Sequence, residues 1–170
     1  VNDISGGDVA INDEGNMIAI GYPQNNSATG TTKVFKYNTT DSSWNQIGSN
    51  IDGSTTGDHA GTTVIMGGSG DFVAIGAPAA NSSAGKISVY QNINDSWTKK
   101  GNDIVGASSN DKFGHNVSLT EDSAFVLIGG YQYDGDSGNG DDNRGHVRIF
   151  ETGVPYTEIK NTQHKSSSVT

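Results

Sequence analysis

The chain repeats itself, and this constrains its fold more than any single residue does. Gly101-Asn-Asp-Ile-Val-Gly106 echoes Gly48-Ser-Asn-Ile-Asp-Gly53, and Trp97 follows Trp44, both at a spacing of 53 residues. Phe72-Val-Ala-Ile-Gly76 recurs as Phe125-Val-Leu-Ile-Gly129 at the same spacing and as Met17-Ile-Ala-Ile-Gly21 a further 55 residues back. Self-similarity at such a period marks an array of like units, each burying its apolar face against a neighbour. The recurring residues are apolar, glycine or aromatic, the types that build turns and cores, so the repeat speaks to architecture and not to chemistry.

Each repeat resolves into four strand-like runs. They fall at 8–11, 17–21, 33–37 and 44–47, at 62–66, 72–76, 86–90 and 97–100, and at 116–119, 125–129, 146–150 and 156–159. In Lys86-Ile-Ser-Val-Tyr90 the apolar Ile87 and Val89 alternate with Lys86 and Ser88, the period of a strand. The second run of each repeat is almost continuously apolar, which predicts a strand covered on both faces. Asp13-Glu-Gly-Asn16, Gly67-Gly-Ser-Gly70 and Thr120-Glu-Asp-Ser123 join the first two runs with residues that tolerate positive φ or bond their own backbone. Helical periodicity is absent. Four antiparallel strands per unit at this period predict an all-β chain of β-propeller-like blades.

Composition excludes some partners. With 24 glycines among 170 residues and a formal charge of −9, the chain lacks the Lys and Arg stripe that neutralises phosphates, so nucleic acid is not an expected partner. An acidic chain with no long apolar run is not expected to insert into a membrane. No cysteine is present, which removes disulfides, thiolate ligands and a Cys nucleophile. Five Asn-x-Ser/Thr acceptors, at Asn25, Asn38, Asn81, Asn94 and Asn116, support glycosylation and hence an extracellular, secreted or cell-surface protein. Asn25 and Asn81 fall in the same loop of successive repeats, as do Asn38 and Asn94.

Phe113-Gly114, followed by an apolar strand and a Val-Leu-Ile-Gly run, together with Gly76-Ala77-Pro78 in the preceding unit, resembles the FG-GAP repeat of integrin α-subunit propellers. Trp44 to Gly53 and Trp97 to Gly106 resemble a variant found in large secreted proteins. The resemblance covers about residues 6–159. It implies three four-stranded FG-GAP-type blades within 1–161, at about 6–53, 54–106 and 107–161, with 162–170 as a polar tail. The family's calcium-loop series is missing from all three first turns, and the first repeat has Gly21-Tyr22-Pro23 in place of Gly-Ala-Pro. A family propeller closes with more blades than three, so the resemblance implies either the remainder of a longer chain or self-association.

Candidate sites are few. Asp134, Asp136, Asn139, Asp141 and Asp142 crowd into one loop and could offer oxygens to calcium, although their order fails the EF-hand pattern and a solvated loop is the competing reading. The four histidines have no metal-ligand spacing, and no nucleophile, base or carboxylate pair can be picked out. Trp44 and Trp97 could stack on sugar faces or pack between units, and recurrence favours packing. No catalytic residue and no certain cofactor is expected. The function expected from the resemblance is a non-catalytic extracellular module for adhesion or matrix assembly, with a protein or glycan ligand at one rim. The alternative is a carbohydrate-binding or accessory domain of a secreted polysaccharide-processing enzyme.

Overall fold

The computed structural model describes residues 4–134, 144–152 and the strand at 157–163. They form three antiparallel sheets in chain order, none closed on itself. The first contains β1 (Val9–Ile11), β2 (Met17–Tyr22), β3 (Thr31–Asn38) and β4 (Ser43–Gln46), with β5 (Ile51–Asp52) also paired to β3. The second contains β6 (Thr63–Met66), β7 (Phe72–Ala77), β8 (Lys86–Ile93) and β9 (Ser96–Lys99), with β10 (Ile104–Val105) also on β8. The third runs β11 (Asn116–Leu119), β12 (Phe125–Gly130), β13 (His146–Glu151) and β14 (Thr157–Gln163). The twelve expected runs are all strands. The first two sheets carry a fifth, because the Ile-x-Gly segments outside the expected runs fold back as two-residue strands whose Ile51 and Ile104 are buried. Two residues are too few for alternation to show.

Turn chemistry is repeated with one substitution. The hairpins joining the first two strands of each sheet place Gly15, Gly70 and Ser123 at φ of 69°, 81° and 57°. Only the third unit asks a residue with a Cβ to take this conformation. The three hairpins are also tied together: the Asp13 N–H donates to Gly68 O, and the Gly68 N–H to Glu121 O, each at 3.1 Å.

Two apolar layers lie between the three sheets. Strand alternation sends Val73, Ile75 and Ala77 of β7 toward the first sheet, where they join Met17, Ala19 and Val34. Ala74 of β7, with Ile87 and Val89 of β8, faces the third sheet and packs with Phe113, Val126 and Ile128. Coverage on both faces is therefore a property of the middle sheet. β7 is buried along nearly its whole length, whereas β2 and β12 alternate buried and half-buried positions. The expectation that all three second strands are covered on both sides is corrected by this difference. An apolar run reports the cover a strand can accept, and β2 and β12 have neighbours on one side only among the described residues.

Candidate functional site

The junctions between sheets are built by two left-handed turns. In Asn25–Ala28, the residues Asn26, Ser27 and Ala28 all have φ between 52° and 62°. In Ala80–Ser83, Asn81, Ser82 and Ser83 lie between 53° and 63°. Three consecutive left-handed residues with a Cβ cost about 1–2 kcal/mol each, so something must offset them. The turns aim their carbonyls at the next unit. Ala28 O accepts from the Gly57 N–H at 3.1 Å and the His59 N–H at 2.9 Å, and Thr29 O accepts from Ala60. Equivalently, Ser82 O, Ser83 O and Ala84 O accept from Asn110, Lys112 and Phe113.

The Phe-Gly and Gly-Ala-Pro segments meet at the same junction. Phe113 is fully buried, and Gly114 (φ +86°) carries its carbonyl onto Gly76, where a Cβ would stand 2.2 Å from Gly114 O. Gly61 does the same to Gly21, at 2.0 Å. Ala77 and Pro78 are buried behind this contact. Glycine is needed at 21 and 76 because another unit's backbone occupies the place of a side chain.

A polar pocket lines the first junction beside this backbone contact. Lys86 Nζ lies 2.8 Å from Asp58 Oδ2 with both side chains at or below 10% exposure, and it also donates to Ser54 Oγ. Thr31 Oγ1 donates to Asp52 Oδ1 at 2.7 Å. Ser88 donates to Asp103, which also pairs with Lys99 at 2.6 Å. Burial works to raise the Asp103 carboxyl, but the hydrogen bonds from Lys99 and Ser88 and the charges of Lys99 and Lys86 outweigh it and hold it below its ordinary range. The Tyr90 phenol is pushed up by burial first and by the Asp103 charge next. Together Asp52, Ser54, Lys86, Ser88, Tyr90 and Asp103 border a space of ≈ 40 Å³, enough for a few waters.

That pocket adjoins a wider groove of ≈ 220 Å³, lined by Ser49, Asn50, Ile51, Asp52, Tyr90, Ser96 and Trp97. Trp97 is fixed in it: its indole N–H donates to Ile47 O at 3.2 Å, and its ring lies against Gly48 of the first sheet. Two half-buried aromatic rings therefore stand beside an exposed amide and an exposed carboxylate. Residues 49–52, which run into β5, and the β8–β9 hairpin, from different sheets, hold the two sides.

The sites expected from the sequence fare unevenly. Trp97 packs between sheets, whereas Trp44 is 41% exposed and tilts against Tyr37 at 5.3 Å. Asn81, Asn94 and Asn116 are exposed. Asn25 and Asn38 are half-buried: the Asn25 side-chain amide lies 3.0 Å from Thr31 Oγ1, and Asn38 Oδ1 accepts from the Thr40 N–H. Asn26, not Asn25, is the residue that matches Asn81 in the left-handed turn. Of the calcium candidates, Asp136, Asn139, Asp141 and Asp142 lie outside the described residues. Asp134 is half-buried, and no cluster of metal ligands occurs among the described residues. His59 sits 3.1 Å from the Gln24 amide and His115 packs edge-on to Tyr131, so the two do not share a site. The buried Lys86–Asp58 pair escapes sequence reading. Alternation places Lys86 opposite Ile87 and Val89, but the polar face of β8 turns out to be covered by the first sheet.

No protein-family model and no curated protein sequence matches the chain. Solved structures match by shape. A putative 6-phosphogluconolactonase from Bacteroides fragilis is similar at a TM-score of 0.61 and 17% identity, over 95% of this chain and 40% of its own. One from Bacteroides uniformis gives 0.58 and 13%, over 91% and 39%. The β-propeller domain of the Trilobed protease from Pyrococcus furiosus gives 0.50 and 17%, over 94% and 42%. The chain thus spans about two fifths of these structures. At such identities the likeness carries fold and not reaction. It still corrects the expectation of a non-catalytic chain, because the sheet arrangement is shared with structures named as putative 6-phosphogluconolactonases. What the comparisons establish is an all-β chain of three antiparallel sheets arranged as in β-propeller proteins.

Proposed function

We propose that the chain is a saccharide-binding segment of an FG-GAP-type β-propeller carried outside the cell, with each sheet one blade. The observation that carries the reading is the groove at the first junction. It brings the rings of Trp97 and Tyr90 together with Asn50 and Asp52, apolar surface beside hydrogen-bonding groups, which is the chemistry a sugar ring presents in return. Binding a glycan of a neighbouring surface or matrix would make the segment adhesive. The exposed acceptors Asn81, Asn94 and Asn116 support an extracellular setting, and Asn94 lies in the β8–β9 turn next to the groove wall.

The test is a titration with neutral and acidic oligosaccharides, followed by tryptophan fluorescence in a Trp44→Phe background so that Trp97 alone reports. A saturable change that is weakened by Asn50→Ala and by Asp52→Ala is the expected result. A Trp97 signal indifferent to every oligosaccharide would remove the proposal.

A further inference from the structure

The outer face of the first sheet corresponds, strand position for strand position, to the buried face of the second. Val9 and Ile11 of β1 occupy the places of Val64 and Met66 of β6. They are 63% and 60% exposed, whereas Val64 and Met66 are 3% and 6% exposed against the sheet ahead. Trp44 stands at the place of Trp97, whose indole bonds Ile47 O, and is 41% exposed among the described residues. The backbone of this face is also preformed. The Gly6 N–H donates to Gly21 O at 3.1 Å, as Gly61 does to Gly76 and Gly114 to Gly129, and all three donors have positive φ. In the second and third units that geometry is what points a glycyl carbonyl at the preceding unit.

The receiving half is present at the other end of the array. A Cβ on Gly21 or Gly76 would collide with the carbonyl of the following unit, at 2.0 and 2.2 Å. On Gly129, which holds the matching place in β12, the nearest atom among the described residues is 3.6 Å away. Glycine there answers to no crowding within the described unit. An arriving Gly6 carbonyl would supply the crowding that Gly61 and Gly114 supply elsewhere.

We propose that this chain docks on a second copy of itself head to tail. Val9, Ile11 and Trp44 of one copy would cover the far face of the third sheet of the other, and Gly6 would lie over Gly129. The occupant is a copy of this chain because the chain carries both complementary halves, each the continuation of an interface it already forms twice. Two copies would bring together six sheets and about four fifths of the length of the propeller-like structures that one copy matches at about two fifths. Such a heterologous contact closes into a ring if the rotation fits and runs on as a filament if it does not. The proposal is independent of the saccharide groove, which lies within one copy.

The test is light scattering and sedimentation of the 170-residue chain over a range of concentrations, with two single variants. The wild type is expected at twice 17.7 kDa or as a larger multiple. Gly129→Ala, which meets no clash among the described residues and leaves thermal stability equal or higher, is expected to be monomeric. So is Ile11→Lys, which blocks the opposite face. Mixing the two variants restores a two-chain complex through their remaining intact halves. A wild type that stays monomeric at every concentration overturns the proposal, as does a Gly129→Ala variant that assembles like the wild type. A mixture that stays monomeric overturns the head-to-tail arrangement.

Discussion

Asp58→Asn is the substitution from which the structure expects most. Lys86 Nζ has two partners, Asp58 Oδ2 at 2.8 Å and Ser54 Oγ, and the two charged side chains are 10% and 8% exposed. Replacing the carboxylate by an amide takes away the carboxylate that Lys86 pairs with in a closed junction, leaving Ser54 Oγ in contact and the Asp103 charge acting without a direct bond. Breaking a buried pair from one side costs about 3–5 kcal/mol, because the survivor keeps its desolvation penalty without its counter-charge. For a domain of this size each kcal/mol lowers Tm by about 2–4 °C. The loss should therefore be visible both in a melting curve and in the midpoint of urea unfolding at unchanged slope. The double variant Asp58→Asn with Lys86→Met removes both charges, and it should recover to within about 1–2 kcal/mol of the parent, the usual result of replacing a buried pair by apolar groups. Lys99 and Asp103, 39% and 26% exposed, provide the control. Lys99→Met should cost about 0–1 kcal/mol, the value of a pair open to solvent. The reasoning fails if Asp58→Asn costs no more than Lys99→Met, since the junction would then be wet enough to solvate a lone ammonium.

Two further outcomes follow from the same junctions. Val64→Ala should destabilise by about 2–3 kcal/mol through lost burial and a cavity. The equivalent Val9→Ala should stay within about 0.5 kcal/mol in dilute protein. Both are measured by urea unfolding, and equal costs would show that the two positions are not in the same relation to their neighbours. For pH, Asp103 is depressed in the folded state, so its stabilisation is present above the unfolded pKa and is lost as pH falls through the folded value. Tyr90 is raised, so its contribution is present below its unfolded pKa and is lost as pH rises through the folded one. Asp103→Asn should flatten the acid limb of a stability profile and Tyr90→Phe the alkaline limb. A Tyr90→Phe variant that still loses stability as steeply above its unfolded pKa would assign that loss elsewhere.

Strand positions were legible because alternation and the spacings of 53 and 55 residues register the same pattern three times. Val64, Val9 and Val117 can be superposed from the sequence alone. Their burial cannot, since it depends on which units have neighbours. The left-handed turns were illegible for a different reason. Asn, Ser and Ala do not announce three consecutive positive φ values, which here are stabilised by N–H groups about 30 residues downstream. Pairing of Ile51–Asp52 and Ile104–Val105 was hidden by brevity. The groove at Trp97 was half legible: the aromatic residue stood out, but Asn50, Asp52 and Tyr90 reach it from separate strands, and spacing along the chain carries no mark of that.

The carbonyls of each left-handed turn are satisfied by the segment that leads into the following sheet, so the unit that holds itself together is offset from the unit that repeats. Cutting just after β5 or just after β10 would separate the strained turn from the amides that compensate it, which lie at 57–60 and 110–113. A stretch running from the middle of one sheet to the middle of the next would keep both. Grafting, duplication or shortening of the array should therefore succeed at the hairpins joining the first two strands and fail at the sheet boundaries. The seam along which such an array can be lengthened runs through its sheets.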